Sequence, residues 1–189
     1  MRNSKKILLV LVAVVGILLL TSLLFNYTDI PLRGFIPDDS VLPVGWVRYR
    51  TYSHSASEMK GALEDIVIIW QQEDSRTSEH PTFMEVSKHK NTLIARYWYY
   101  ISTSKSALPR EVYYVPAGWK YKSEFADQIS VVCHYPNAGI GCRVYARYGQ
   151  YIVIFQLVFR RESDQKDRET LFEITWAEMD AFITQIIKK

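Results

Sequence analysis

Ile7 to Phe25 is nineteen residues without a charge, and Thr21 and Ser22 are its only polar members. As an α-helix it would measure about 28 Å, close to the hydrocarbon thickness of a bilayer. The two hydroxyls can bond back to helix carbonyls, so they cost little in such a place. A buried helix of a soluble protein would present a polar side, and this run has none. A cleaved signal peptide has a shorter apolar core and a small-residue cleavage site. Leu24-Phe25-Asn26-Tyr27-Thr28 offers no such site. The run therefore predicts an uncleaved transmembrane helix.

The flanks predict its orientation. Arg2, Lys5 and Lys6 precede the run, and the next base is Arg33, with Asp29, Asp38 and Asp39 close by. Basic residues stay on the cytoplasmic side. Residues 1–6 are thus expected inside, 7–25 in the membrane and the remainder outside. Asn26 to Ser40, with Pro31, Gly34 and Pro37, reads as a linker, and 41–189 as one globular domain.

Charge becomes informative once it is located. Removing Arg2, Lys5 and Lys6 from the 23 basic residues leaves 20, against 20 acids, so the net +3 belongs to the anchor's flank. Nucleic-acid binding draws on a basic surface field, and a neutral domain gives no reason to expect that partner.

The two cysteines fit an exported domain. Cys133 and Cys142 bracket Pro136, Asn137, Gly139 and Gly141, all turn formers, with strand-like Ile129–Val132 before and Arg143–Ala146 after. Adjacent strand ends would bring the thiols within bridging range, and disulfides persist in oxidising compartments. Two reduced, half-buried thiols are the alternative. Cys133, His134 and Cys142 lack a known zinc spacing.

Periodicity supplies the rest. Val47–Tyr52 alternates, Ile66–Trp70 is a β-branched run, and Thr82–His89 alternates again. Asp127–His134, Cys142–Tyr148 and Tyr151–Arg160 read as sequential strands with Gly149-Gln150 as a tight turn, which predicts an antiparallel meander. In 91–102, Leu93, Ile94, Tyr97, Trp98 and Ile101 share one helical face, and Asn91 or Thr92 can cap it. The composition of Arg96–Ile101 also suits a strand, and helix is the favoured reading. Arg161–Glu169 reads as a charged loop. Thr175-Trp-Ala-Glu178 has capping-box form ahead of an amphipathic helix through Trp176, Met179, Phe182, Ile183 and Ile186. The expected class is α+β: an antiparallel sheet, meandering in the C-terminal half, packed with one or two helices behind the transmembrane segment. Pro43-Val-Gly45-Trp46 recurs as Pro116-Ala-Gly118-Trp119. A duplication or a turn that buries a tryptophan both explain the echo.

No catalytic constellation emerges. G-x-S-x-G, Walker A, G-x-G-x-x-G and H-E-x-x-H are all missing. His54, His80, His89 and His134 follow no ligand spacing, and Ser53-His54-Ser55 does not make a triad by adjacency. Glu64-Asp65 and Asp38-Asp39 read as solvated acids. No catalytic, metal or cofactor residue is assigned, and no cofactor is expected. In the aromatic cluster, Tyr97 and Trp98 are expected in the core. Tyr99 and Tyr100, with Tyr113 and Tyr114, are the candidate binding surface.

Ala126-Asp127-Gln128, Cys133, Cys142 and Tyr148-Gly-Gln-Tyr-Ile-Val-Ile-Phe155 before a terminal helix resemble uncharacterised bacterial membrane-anchored and secreted proteins with an ADQ…C…C…YIVxF arrangement. The resemblance implies an envelope location and paired cysteines, and no activity. The expectation is a membrane-tethered binding or protein-interaction module. An envelope hydrolase built around His54 or His134 is one alternative. The other is an accessory subunit of a membrane complex, with Gly16 permitting helix contact.

Overall fold

The computed structural model describes residue 6 and residues 10–17, 29–55, 61–72, 82–104, 107–135, 141–159 and 164–188. Residues 10–17 are helical, while 7–9 and 18–28 of the expected anchor and its exit lie outside the described residues. Among the described residues no helix is long and apolar enough to cross a membrane.

The domain is α+β, as the periodicity predicts. Its strands are β1 (Trp46–Ser55), β2 (Ala62–Gln72), β3 (Thr82–His89), β4 (Tyr113–Tyr114), β5 (Gln128–His134), β6 (Gly141–Tyr148) and β7 (Tyr151–Val158). They form one seven-stranded sheet in the order β1-β2-β3-β7-β6-β5-β4. Every neighbouring pair is antiparallel. Two meanders thus meet at β3 and β7. Helix α1 (Thr92–Thr103) links them, and α2 (Gln165–Ile187) closes the chain.

Alternation assigns each strand residue to a face. Ile66, Ile68, Trp70, Met84, Val86, Val144, Val153 and Phe155 turn towards α2, whose Phe172, Trp176, Met179 and Ile183 fill the main core. Val132, Tyr145 and Ile152 turn the other way, under Ala95 and Tyr99 of α1. Both faces are therefore covered, in part, by helices on opposite sides.

Residues 29–40, expected as linker, belong to the domain. Two 3-10 turns, Leu32–Phe35 and Asp39–Val41, lie over the α2 side of the sheet. Phe35 is fully buried, and Leu32 and Leu42 join the same core. Tyr151 anchors the entry: its hydroxyl accepts from Ile30 N–H at 2.8 Å and donates to Ile30 C=O at 3.1 Å. Asp39 Oδ1 accepts from Trp70 Nε1 and Arg48 Nε, both at 3.1 Å.

The terminal helix is longer than its sequence signal. Asp164 caps it, accepting from Lys166 N–H. Thr175, expected at its start, lies inside it and donates back to Leu171 C=O at 2.8 Å. The first two turns face solvent and carry charge, so apolar periodicity begins only at Leu171-Phe172. The residues read as a charged loop are partly these turns.

Helix α1 forms where helix is the favoured reading, with the Asn91 side chain accepting from Ile94 N–H at 3.0 Å. Its orientation differs from expectation. Ala95 and Tyr99 are buried, while Leu93, Tyr97 and Ile101 are exposed. Trp98 lies across Gly61, where a side chain would collide with the indole and φ is +78°. The indole therefore fastens α1 to the start of β2.

The two Pro-x-Gly-Trp segments are closed by the same hydrogen bond, but only Gly45 takes a positive φ, so the turns differ in type. Trp46 N–H bonds to Pro43 C=O and Trp119 N–H to Pro116 C=O, both at 3.3 Å. Both tryptophans pack against the main core. Gly45 takes φ +90°, as a type II turn demands at that position. Three strands and a helix follow each segment, yet the helices settle on opposite faces.

Candidate functional site

The sheet has two unlike edges. β4 is two residues long, whereas β1 runs for ten. From Val47 to Ser53 every β1 residue is exposed. Pairing of β1 with β2 skips Tyr49, a bulge between Arg48 and Arg50. A bulge shifts the alternation by one residue. Arg48 therefore turns to the α2 side, where Nη2 also donates to Pro37 C=O at 2.5 Å. Arg50 turns to the opposite side, and Tyr49 is left unpaired and 64 % exposed.

Beyond the bulge, Arg50, Tyr52 and His54 stand in a row at i, i+2 and i+4. The Arg50 guanidinium lies 5.9 Å from the Tyr52 ring centroid, and Tyr52 meets His54 edge-on at 5.2 Å. His54 Nδ1 is 2.9 Å from Asp65 Oδ1, which also accepts His54 N–H at 3.2 Å. Asp65 is buried and His54 half-exposed. An open cleft of about 840 Å³ surrounds this edge, lined by Leu32, Arg33 and Ile36 and by the facing ends of β1 and β2.

This corrects one sequence expectation: Asp65, read as a solvated acid, is buried and partners His54 of strand β1. No local motif announces the pair, because the residues meet only through the β1–β2 register. A buried carboxylate that accepts from Nδ1 fixes the ring and leaves Nε2 outward, the first half of a general-base arrangement.

The other candidates are placed apart. Tyr99 is buried beneath α1, and burial raises its pKa to about 12 against the charge of Arg147. Tyr100 is exposed at 69 %. Tyr113 and Tyr114 point to opposite faces, Tyr113 packing against the α1 side and Tyr114 against the main core. Tyr114 donates to Glu169 of α2 at 2.7 Å. The four tyrosines do not form one surface. Cys133 and Cys142 are direct partners across β5 and β6, Cα atoms 4.0 Å apart and sulfurs at disulfide distance.

His134 packs on Tyr113 with ring centroids 4.5 Å apart. His89 ends β3 fully enclosed, and burial lowers its pKa to about 4, against a raising backbone contact at Gly61. His80 lies outside the described residues. Among the described residues no three His, Cys, Asp or Glu side chains converge as a metal site.

Other polar groups hold structure. Arg143 donates from Nε and Nη2 to Gln156 Oε1 and from Nη1 to Tyr145 OH, lying between the Phe83 and Tyr145 rings. Glu169, Glu173 and Asp180 form one stripe of α2. Glu173 accepts the N–H groups of Lys120 and Tyr121. Asp180 accepts from Tyr121 OH at 2.6 Å, Ser123 Oγ at 3.0 Å and Tyr148 OH.

No protein-family model, no curated protein and no solved structure matches this chain.

Proposed function

We propose that the chain is a membrane-anchored binding module of the cell envelope, and that it receives an extended segment of a partner protein along β1. The carrying observation is the edge itself: ten residues of strand, exposed from Val47 to Ser53, opposite an edge only two residues long. Folded proteins usually shorten, cover, charge or bulge such edges; β1 carries Arg48, Arg50 and the bulge at Tyr49, yet keeps a regular run from Arg50 to Ser55. An incoming strand would bond to the free main-chain groups, and the Arg50-Tyr52-His54 row would select its side chains. The anchor at 7–25, with the domain on the outer side, is part of this proposal. Its support is the uncharged run and the basic flank before it. A photo-reactive residue at Tyr49 in the full chain, activated in native membranes, should give a reproducible adduct with one neighbour. A label on the opposite side of the sheet should not. Equal, diffuse labelling at both positions would refute the edge as a binding site.

A second reading, an envelope hydrolase, rests on one observation: His54 is oriented by buried Asp65 at the mouth of the cleft. Such an enzyme needs a nucleophile or water on Nε2. Activity-based acyl probes separate the readings. Labelling that disappears in His54→Ala favours the enzyme, and unlabelled full chain with a Tyr49 adduct favours binding.

A further inference from the structure

Helix α1 carries a second apolar stripe that no described element covers. Leu93, Tyr97, Tyr100 and Ile101 are 50 %, 59 %, 69 % and 37 % exposed. Their spacing, i, i+4, i+7 and i+8, places them along one side of the helix. Lys90 precedes the stripe and Arg96 flanks it. Both are exposed, and neither forms an ion pair among the described residues. An aromatic and aliphatic stripe edged by bases is the pattern of a helix lying in a lipid headgroup layer.

Position supplies the independent argument. The chain enters the domain at Asp29, whose carboxylate is 2.5 Å from Lys88 Nζ near the end of β3. Asn91, three residues past Lys88, caps α1. Entry and α1 therefore occupy the same end of the sheet. The β6–β7 turn at Gly149-Gln150 is also there, since Tyr151 holds Ile30 and Gln150 C=O accepts from His89 N–H. Only Asn26, Tyr27 and Thr28 separate Asp29 from the end of the apolar run. Fully extended, that connection reaches roughly 14 Å. Headgroup layers account for about 5–8 Å on each side of the hydrocarbon. Asp29 can therefore stand at most about 6–9 Å beyond the headgroups, less than the width of one helix, so this end of the domain stays beside the surface.

We propose that the outer face of α1 rests in the headgroup layer of the membrane that holds the anchor, with Tyr97 and Tyr100 at interfacial depth and Lys90 and Arg96 towards anionic lipid. The orientation follows: α1 lies against the bilayer, the His54 end of β1 sits at the same end of the sheet as the entry, and the Trp46–Tyr49 end points away and stays open for a partner. This rests on the anchor reading and goes beyond it.

The test uses the full chain reconstituted in vesicles of phosphatidylcholine and phosphatidylglycerol. Nitroxide labels are placed singly through Tyr97→Cys, Tyr100→Cys and, as reference, Tyr49→Cys. At 97 and 100, collision with oxygen should exceed collision with a water-soluble nickel chelate several-fold, and at 49 the ratio should invert. Raising the phosphatidylglycerol fraction should deepen both α1 labels, and Arg96→Glu should remove that dependence. If labels at 97 and 100 meet the chelate as freely as 49 while the chain floats with the vesicles, the surface proposal fails and the anchor stands. Shielding from both reagents would mean protein covers the stripe, which also overturns it. If the chain does not float at all, the anchor reading fails, and this one with it.

Discussion

Tyr148 on β6 donates its hydroxyl to Oδ1 of Asp180, a carboxylate buried on α2. Burial first, and then the charge of Asp180, hold the Tyr148 pKa well above its ordinary value, so the phenol stays a donor. Tyr121 and Ser123 complete the set, so three hydroxyls from β6 and from the segment before β5 converge on one helix residue. Hydrogen bonds to a charged group contribute about 1.5–3 kcal/mol each, and an unmade buried one costs a similar amount. Tyr148→Phe should lower unfolding free energy by about 1–2 kcal/mol and Asp180→Ala by about 3–4 kcal/mol in urea titrations. Asp180→Ala no worse than a surface substitution would contradict the arrangement.

Phe35 tests whether the domain begins at Asp29. It lies fully buried against Tyr151, ring centroids 5.1 Å apart. Phe35→Ala should cost about 3–5 kcal/mol, as large-to-small changes in a core do. Deletion of 29–42 should leave a chain that does not unfold cooperatively. A tether would tolerate both changes.

His89 sets an acid limit on stability. Its folded pKa of about 4 lies below the ordinary 6.5 because burial disfavours the cation. The unfolded chain therefore binds the proton more readily. The contribution is fully present above pH 6.5 and is lost as pH falls towards 4, by up to about 3 kcal/mol. Replacing His89 by Phe should flatten that part of the stability profile. A wild-type profile unchanged between pH 7 and 4 would be inconsistent with a buried neutral imidazole.

The Cys133–Cys142 pair closes a nine-residue separation. Reduction, or Cys133→Ser with Cys142→Ser, should cost about 2–3 kcal/mol on the chain-entropy account. Purified protein without reductant should show no reactive thiol, and two would refute the bridge.

Much of the fold was legible, and the reasons differ by element. The β5–β6–β7 meander was readable because alternation and the Gly149-Gln150 turn are local signals. Helix α1 was readable as a helix but not in orientation. It has apolar residues on two sides, and tertiary packing chose Ala95 and Tyr99. Asp164 was the visible signal for the true start of α2, overshadowed by the capping-box form at Thr175. Residues 29–40 read as linker because they have no period; they pack through single residues, Leu32 and Phe35, between turns. The His54–Asp65 pair was invisible, since it depends on which residue of β2 faces which residue of β1. The open edge was equally so, because exposure of a strand is decided by the order of the whole sheet.

Export of the domain and its retention by residues 7–25 are the proposal on which binding at the envelope depends. The most direct measurement is protease digestion of sealed right-side-out vesicles that carry the full chain with a C-terminal epitope, followed by carbonate extraction. The epitope should be lost on digestion, and undigested chain should stay in the extracted membrane pellet. An epitope protected until the vesicles are opened, or a chain released by carbonate, would contradict it.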